Sequence, residues 1–116
     1  MSRRRSFARV DVTSAAPIFA ALGDETRLRL VAGLCAGGPT SIARLSAGVP
    51  VTRQAVTKHL HALAAAGLVR GRRVGRQRRR VWELDTRRLH EARQYLDRVS
   101  QQWDGVLARL KAFVEE

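Results

Sequence analysis

The sequence predicts a mainly α-helical domain with a two-stranded β wing, arranged as a winged helix-turn-helix. Three observations predict this fold. Four segments with helical apolar periodicity, separated by glycines and prolines, occupy residues 14–66. A strand, a glycine turn and a second strand follow at residues 68–84, and seven arginines lie among residues 70–80. A long segment with an apolar residue at every third or fourth position completes the chain.

The chain carries a net charge of +12 in 116 residues, from 22 basic and 10 acidic side chains. Its length suits a single domain with a modest core. A small protein with so much positive charge usually has a polyanionic partner. Because the arginines cluster at residues 3–9 and 70–80, we expect that partner to be nucleic acid. An anionic membrane surface or a generally basic surface is the alternative.

Residues 1–13 are predicted to form a flexible basic arm, which either touches phosphates or is a solvated tail. Residues 14–116 form the one predicted domain. No apolar run approaches the roughly 20 residues that cross a membrane, so no membrane partner is expected. The single cysteine, Cys35, excludes an intrachain disulfide and fits a reducing compartment. We therefore expect a cytoplasmic protein.

The first two helices are predicted from their end signals. The first begins at Ser14 or Ala15 and runs to about residue 22, with Pro17 in its first turn, where a missing N–H does no harm. Asp24 is a suitable N-cap for the second, which stops at residues 37–39. The predicted apolar face of the second helix consists of Leu28, Leu30, Val31, Leu34 and Cys35. The thiol is accordingly expected to be buried and unreactive, with an oxidation sensor as the alternative.

The third and fourth helices are predicted to form the helix-turn-helix. Thr40 or Ser41 caps the third, and a short turn at residues 48–51 leads to the fourth. Thr52 caps the fourth helix, which runs to residue 66 and ends at Gly67. The predicted inward residues are Ile42 and Leu45, then Val56, Leu60, Leu63 and Ala64.

The opposite face of the fourth helix is polar and is predicted to read DNA bases. Arginine and lysine donate to guanine, glutamine pairs with adenine, and threonine reaches either kind of base or a thymine methyl. Ser41 and Thr52 lie at helix N-termini, which favour phosphate oxygens, although a capping role alone is the alternative for Thr52. The predicted base-reading residues are Arg53, Gln54, Thr57, Lys58 and His61, and the alternative is a solvated helix face.

The histidines do not predict a metal site. His59 and His61 lie about 200° apart around a helix, so they cannot chelate one ion together. His59 flanks the core and is expected to be a structural hydrogen-bonding residue. His90 has no histidine or carboxylate three or four residues away. We expect no metal and no cofactor.

In the wing, Gly75 supplies the tight turn between the two strands. Side chains alternate along a strand, so the arginines cannot all face one way. Those near the turn, Arg73, Arg76 and Arg78, are predicted to contact a minor groove or phosphates, because a narrow groove attracts arginine.

Asp85 or Thr86 is predicted to cap a last helix at residues 86–115. Its apolar residues recur in steps of three and four: Leu89, Ala92, Leu96, Val99, Trp103, Val106, Leu110 and Phe113. This is an unbroken heptad pattern. A core this small cannot bury so long a seam, so we expect part of it to pack on a second copy. Folding back onto the first two helices is the alternative.

Residues 22–30 (LGDETRLRL), residues 57–69 (TKHLHALAAAGLV) and the last helix with Trp103 resemble the ArsR family of bacterial winged-helix repressors. The resemblance covers almost all of the chain beyond Ser14. It implies a homodimer that pairs through its first and last helices and represses transcription by covering operator DNA. It places Arg53, Gln54, Thr57 and Lys58 where the family's recognition helix meets bases. The implied dimer interface consists of Phe19, Leu22, Leu96, Val99, Trp103, Val106 and Leu110.

The chain departs from the metal-sensing members of that family. Their thiolate site lies near the helix-turn-helix, and residues 40–47 contain no cysteine here. Their other site uses paired acids and histidines on the last helix, where His90, Glu91 and Asp97 are the candidates here and His90 is the single histidine. The resemblance is therefore to the branch without a recognised metal site, and it points to no particular inducer ligand.

We expect a sequence-specific transcriptional regulator, a repressor that binds a pseudo-palindromic operator in double-stranded DNA as a homodimer. A nonspecific architectural protein that binds DNA or RNA through the same wing is the alternative; the polar face of the fourth helix favours sequence reading. An enzyme is not expected, since there is no acid pair, no nucleophile with a plausible base and no phosphate-cradling glycine loop.

Overall fold

The computed structural model describes residues 12–115 and consists of five α-helices and a two-stranded antiparallel sheet. The elements in chain order are α1 (Val12–Leu22), α2 (Glu25–Gly37), α3 (Ile42–Ala47), α4 (Arg53–Ala65), β1 (Val69–Val74), β2 (Arg79–Leu84) and α5 (Thr86–Glu115). Most of the basic arm predicted for residues 1–13 lies outside the described residues.

The helix ends follow the predicted capping chemistry. Each N-cap side chain accepts a hydrogen bond from the backbone N–H three residues later, at 3.0 Å for Asp24, 3.3 Å for Ser41 and 3.1 Å for Thr52. Gly67 follows α4 with φ +80°, a left-handed conformation that glycine adopts without strain. These local signals were enough to predict where α2, α3 and α4 begin.

One core lies between the helices and the sheet. The predicted inward side chains of α3 and α4 lie in it or pack against it. The fully buried large side chains are Ile18, Leu30, Val56, Leu60, Leu63, Leu68 and Trp82. The buried face of α4 fixes which of its side chains face outward, because residues half a turn away cannot reach the core.

Two predictions about α1 and α2 were wrong. α1 begins at Val12, before the expected Ser14 or Ala15, so Pro17 lies beyond its first turn. Cys35 is exposed rather than buried, and Leu28 is 51% exposed. The apolar residues of α2 form two different stripes around the helix, and the core buries the one that contains Leu30 and Leu34. Leu28 lies roughly opposite Leu30, since two residues turn a helix by about 200°.

The sheet forms the predicted wing, with the strands paired from Val69 opposite Leu84 to Val74 opposite Arg79. A contact that was not predicted adds a short third segment. Thr40 and Trp82 exchange two backbone hydrogen bonds, at 2.9 and 2.7 Å. This bridge fastens the start of α3 to β2. The helix-turn-helix of α3 and α4, followed by this wing, makes the fold a winged helix-turn-helix.

The last helix is 30 residues long, about 45 Å. Its beginning packs on α1: Ala92 is buried, and the rings of Phe19 and Tyr95 are 5.6 Å apart. From Leu96 onward its apolar side chains are exposed. The alternative, in which the last helix folds back onto the first two, therefore holds only for the beginning of α5, which packs on α1. None of the helices within residues 12–115 has the length and apolarity needed to cross a membrane.

Candidate nucleic-acid interface

The exposed face of α4 brings most of the predicted base-reading residues together. Arg53, Gln54, Lys58 and His61 are all exposed on this helix. Thr57 is half-buried, and its hydroxyl donates to the Arg53 carbonyl at 3.0 Å. With its proton engaged, the Thr57 side chain offers a base only an acceptor lone pair and a methyl group. The face therefore presents donors from four residues and an apolar methyl for thymine.

A small polar cluster links α4 to α1 and α2. The Arg27 guanidinium donates to the Ala21 carbonyl at 2.7 Å and lies 3.3 Å from His59 Nδ1. Asp24 is 3.9 Å from the same histidine nitrogen. Its bond from the Arg27 backbone N–H lowers the pKa of Asp24. Helices α1, α2 and α4 thus meet at one arginine, and His59 has the structural role that was predicted for it.

The wing divides its arginines into two groups. Arg70 and Arg72 both bind Glu83, at 2.7 and 3.0 Å, and these two hydrogen bonds lower the pKa of Glu83. Their charge is therefore partly neutralised. Among the described residues, no carboxylate pairs with the remaining wing arginines, which are Arg73, Arg76, Arg78, Arg79 and Arg80.

The tip of the wing is a defined turn. Gly75 has φ +75° and Arg78 has φ +55°, and the Arg78 N–H donates to the Gly75 carbonyl at 3.2 Å. The Arg73 guanidinium donates back to the Arg78 carbonyl at 3.1 Å, so it also holds the turn. Arg76 projects from the same turn, and its side chain is exposed. The three arginines predicted to hold DNA thus lie together at the wing tip.

We expect Thr52→Ala to lower the free energy of unfolding by about 1 kcal/mol, because the first turn of α4 loses its side-chain cap. Thr52→Ser keeps the hydroxyl and should behave like the wild type. Urea unfolding at a fixed protein concentration measures both. Equal stability of the alanine and serine variants would show that the cap contributes nothing.

The C-terminal part of α5 carries an exposed apolar stripe, which we call the α5 stripe. The heptad residues of this stripe are Leu96, Val99, Trp103, Val106, Leu110 and Phe113. All of them except Phe113 were predicted to form a dimer interface. Trp103 is 58% exposed. The other two predicted interface residues, Phe19 and Leu22, lie on α1 and are partly buried against the core. The α5 stripe is a large apolar surface to leave in water.

Sequence reasoning missed two residues of the candidate nucleic-acid surface that α4 and the wing form. Glu83 was not recognised as the partner of two wing arginines, although its position opposite Arg70 follows from the strand register. Arg80 was not singled out either. It lies two residues before the buried Trp82 on the same strand, so alternation alone places both side chains on one face. Over the described residues, no group of three metal-binding side chains comes together.

Comparisons with known proteins agree with this architecture. A model of a helix-turn-helix domain matches residues 22–72. The HTH-type transcriptional regulator Rv2034 of Mycobacterium tuberculosis is 44% identical over 78 residues, which are 67% of this chain and 70% of that protein. The structure of an ArsR-like transcriptional regulator from Rhodococcus sp. RHA1 is 37% identical, with a TM-score of 0.72 over 87% of this chain and 92% of that one.

A winged helix-turn-helix DNA-binding domain from Mycobacterium bovis, solved as a homodimer, shares the fold at 23% identity. Its TM-score is 0.60, over 94% of this chain and 93% of that one.

Proposed function

The chain belongs to the ArsR family of winged helix-turn-helix transcriptional regulators, and from that membership we propose that it is a repressor that binds a pseudo-palindromic DNA operator as a homodimer. The observation that carries this proposal is the exposed polar face of α4 together with the wing-tip arginines, which no carboxylate among the described residues neutralises. Base reading and phosphate binding need different side chains, and the chain supplies both kinds on adjacent elements.

In the proposed complex, α4 enters the major groove. Arg53, Gln54, Thr57 and Lys58 read base edges, and His61 lies at the far end of the same face. The N-termini of α3 and α4, with Ser41 and Thr52, bind backbone phosphates. Arg73, Arg76 and Arg78 place the wing tip against the neighbouring minor groove or its phosphates.

The α5 stripe supports the dimer. Its exposed side chains continue the heptad pattern of the sequence, and a second copy of α5 would cover them with the same pattern. A twofold dimer carries two α4 helices, which enter successive major grooves about 34 Å apart. The operator should therefore contain two inverted half-sites.

Selection from a pool of random duplexes tests the proposal. We expect enrichment of two inverted half-sites centred about 10 base pairs apart, bound by two protein copies per duplex. A promoter that overlaps the selected site should lose transcription when the protein is added. If no sequence is enriched, and competitor DNA removes binding at modest excess, the protein is a nonspecific architectural factor instead.

We expect Gln54→Ala to relax the base preference at one position of each half-site, with a loss of about 1–3 kcal/mol of discrimination there. The amide is the only one on the exposed face of α4, so no neighbour replaces it. Repeating the selection with the variant measures the effect. Gln101→Ala, on the exposed surface of α5, is the control and should leave the selected sequence unchanged. An unaltered preference in the Gln54 variant would remove this residue from base reading.

A further inference from the structure

Arg80 occupies a position that the other wing arginines do not share. Its guanidinium carbon lies 4.8 Å from the centroid of the Trp82 ring, within the range of a cation–π contact. Gly71 is the cross-strand neighbour of Trp82. A Cβ at Gly71 would stand 3.0 Å from both Nε and Nη2 of Arg80, so the glycine leaves the space in which this guanidinium lies.

The same tryptophan also contacts the recognition helix. The ring centroids of His61 and Trp82 are 6.0 Å apart, with an interplanar angle of 52°. Trp82 is 2% exposed, which makes it a fixed support for both neighbours. Arg80 of the wing and His61 of α4 thus contact the same ring, and we call the region around this ring the corner between α4 and the wing.

The donors of Arg80 have no partner within residues 12–115. The side chain is exposed and makes no hydrogen bond or ion pair there, whereas Arg70 and Arg72 share Glu83. A guanidinium whose carbon lies over an aromatic ring uses none of its N–H donors in that contact. That arrangement suits two oxygens of one phosphate, and it reduces the entropy lost on binding.

We propose that Arg80, held by Trp82 and Gly71, binds the DNA backbone phosphate that passes between α4 and the wing. This inference rests on the proposed function, in which α4 lies in the major groove and the wing in the adjacent minor groove. The sugar-phosphate backbone is the wall between two such grooves, so the corner between the two elements faces a phosphate. Arg80 is then a binding residue, and Trp82 and Gly71 are positioning residues.

Arg80→Gln tests the proposal against Arg79→Gln as its matched control. Arg79 precedes Arg80 on the same strand, faces the opposite side, is exposed and has no carboxylate partner among the described residues. Both variants lose one positive charge. Fluorescence anisotropy with the selected operator, from low to moderate salt, gives the affinity and its salt dependence.

We expect Arg80→Gln to weaken operator binding by about 10- to 100-fold, counting one contact in each protomer. The slope of log K against log salt should become shallower by about 1.8 for the two contacts. Arg79→Gln should change the affinity by less than about threefold. Equal losses in both variants would mean that Arg80 contributes only its positive charge, and they would overturn the inference.

Gly71→Ala tests the positioning without a change of charge. It should displace the guanidinium and weaken operator binding, and it should add nothing in a Gly71→Ala, Arg80→Gln double variant. Additive losses in the double variant would show that Gly71 acts separately from Arg80. If the wild type binds no duplex, the proposed function itself fails. If the wild type binds and Arg80→Gln binds equally well, only the role of Arg80 is lost.

Discussion

Trp103→Glu combined with Val106→Glu is expected to convert the protein into a monomer and to weaken operator binding by about a thousandfold. Both side chains are exposed in the α5 stripe, where a partner helix would bury them. Four carboxylates in the seam of a dimer would lose their hydration and would repel one another. A monomer reads one half-site, and loss of the linked second half-site removes about 10²–10⁴ in affinity. Sedimentation equilibrium measures the mass, and anisotropy measures the binding.

Gln101→Glu combined with Ala108→Glu is the matched control. Both residues are exposed on α5 outside the heptad positions, and the added charge is the same. This variant should remain a dimer, with at most a small loss of affinity from added negative charge. A dimeric Trp103 and Val106 variant would contradict the interface. A monomeric wild type that still binds the operator tightly would contradict the dimer as a whole.

The parts of the fold that the sequence predicted well are those decided within a few residues. The caps at Asp24, Ser41 and Thr52 depend on one side-chain oxygen and one nearby N–H, so residue type and position were sufficient. The wing turn depends on the left-handed conformation at Gly75 in the same way. Helix α4 could be oriented because its apolar residues form a single stripe.

The parts of the fold that the sequence did not predict depend on tertiary packing. In α2, the apolar residues allow two stripes, and only tertiary contacts decide that Leu34 is buried while Cys35 is exposed. The Thr40–Trp82 bridge joins residues far apart in the chain through backbone atoms, and a one-residue bridge has no side-chain period to reveal it. The contacts of Trp82 with Arg80 and His61 also depend on tertiary packing. The corner between α4 and the wing could therefore be identified only from the structure.

Arg76→Glu combined with Arg78→Glu is expected to weaken binding to all DNA sequences alike, by about a thousandfold at moderate salt. These side chains lie at the wing tip, and no carboxylate among the described residues pairs with them. If the dimer neutralises about ten phosphates, the slope of log K against log salt is about −9. Removing two contacts in each protomer brings it to about −5. The loss should be the same on the selected operator and on unrelated duplexes, because phosphates carry no sequence information.

Arg93→Glu combined with Lys111→Glu separates contact from net charge, since both residues are exposed on α5 outside the heptad positions and the change in charge is identical. We expect this control to lose little affinity in anisotropy titrations and to keep a slope near −9. Equal losses in the two double variants would mean that the wing acts only through the overall charge of +12. A loss confined to the selected operator would instead mean that Arg76 and Arg78 read bases, a role that the proposal gives to the exposed face of α4. Uniform weakening with a shallower slope would therefore establish the division of labour in which α4 selects the site and the wing holds the duplex.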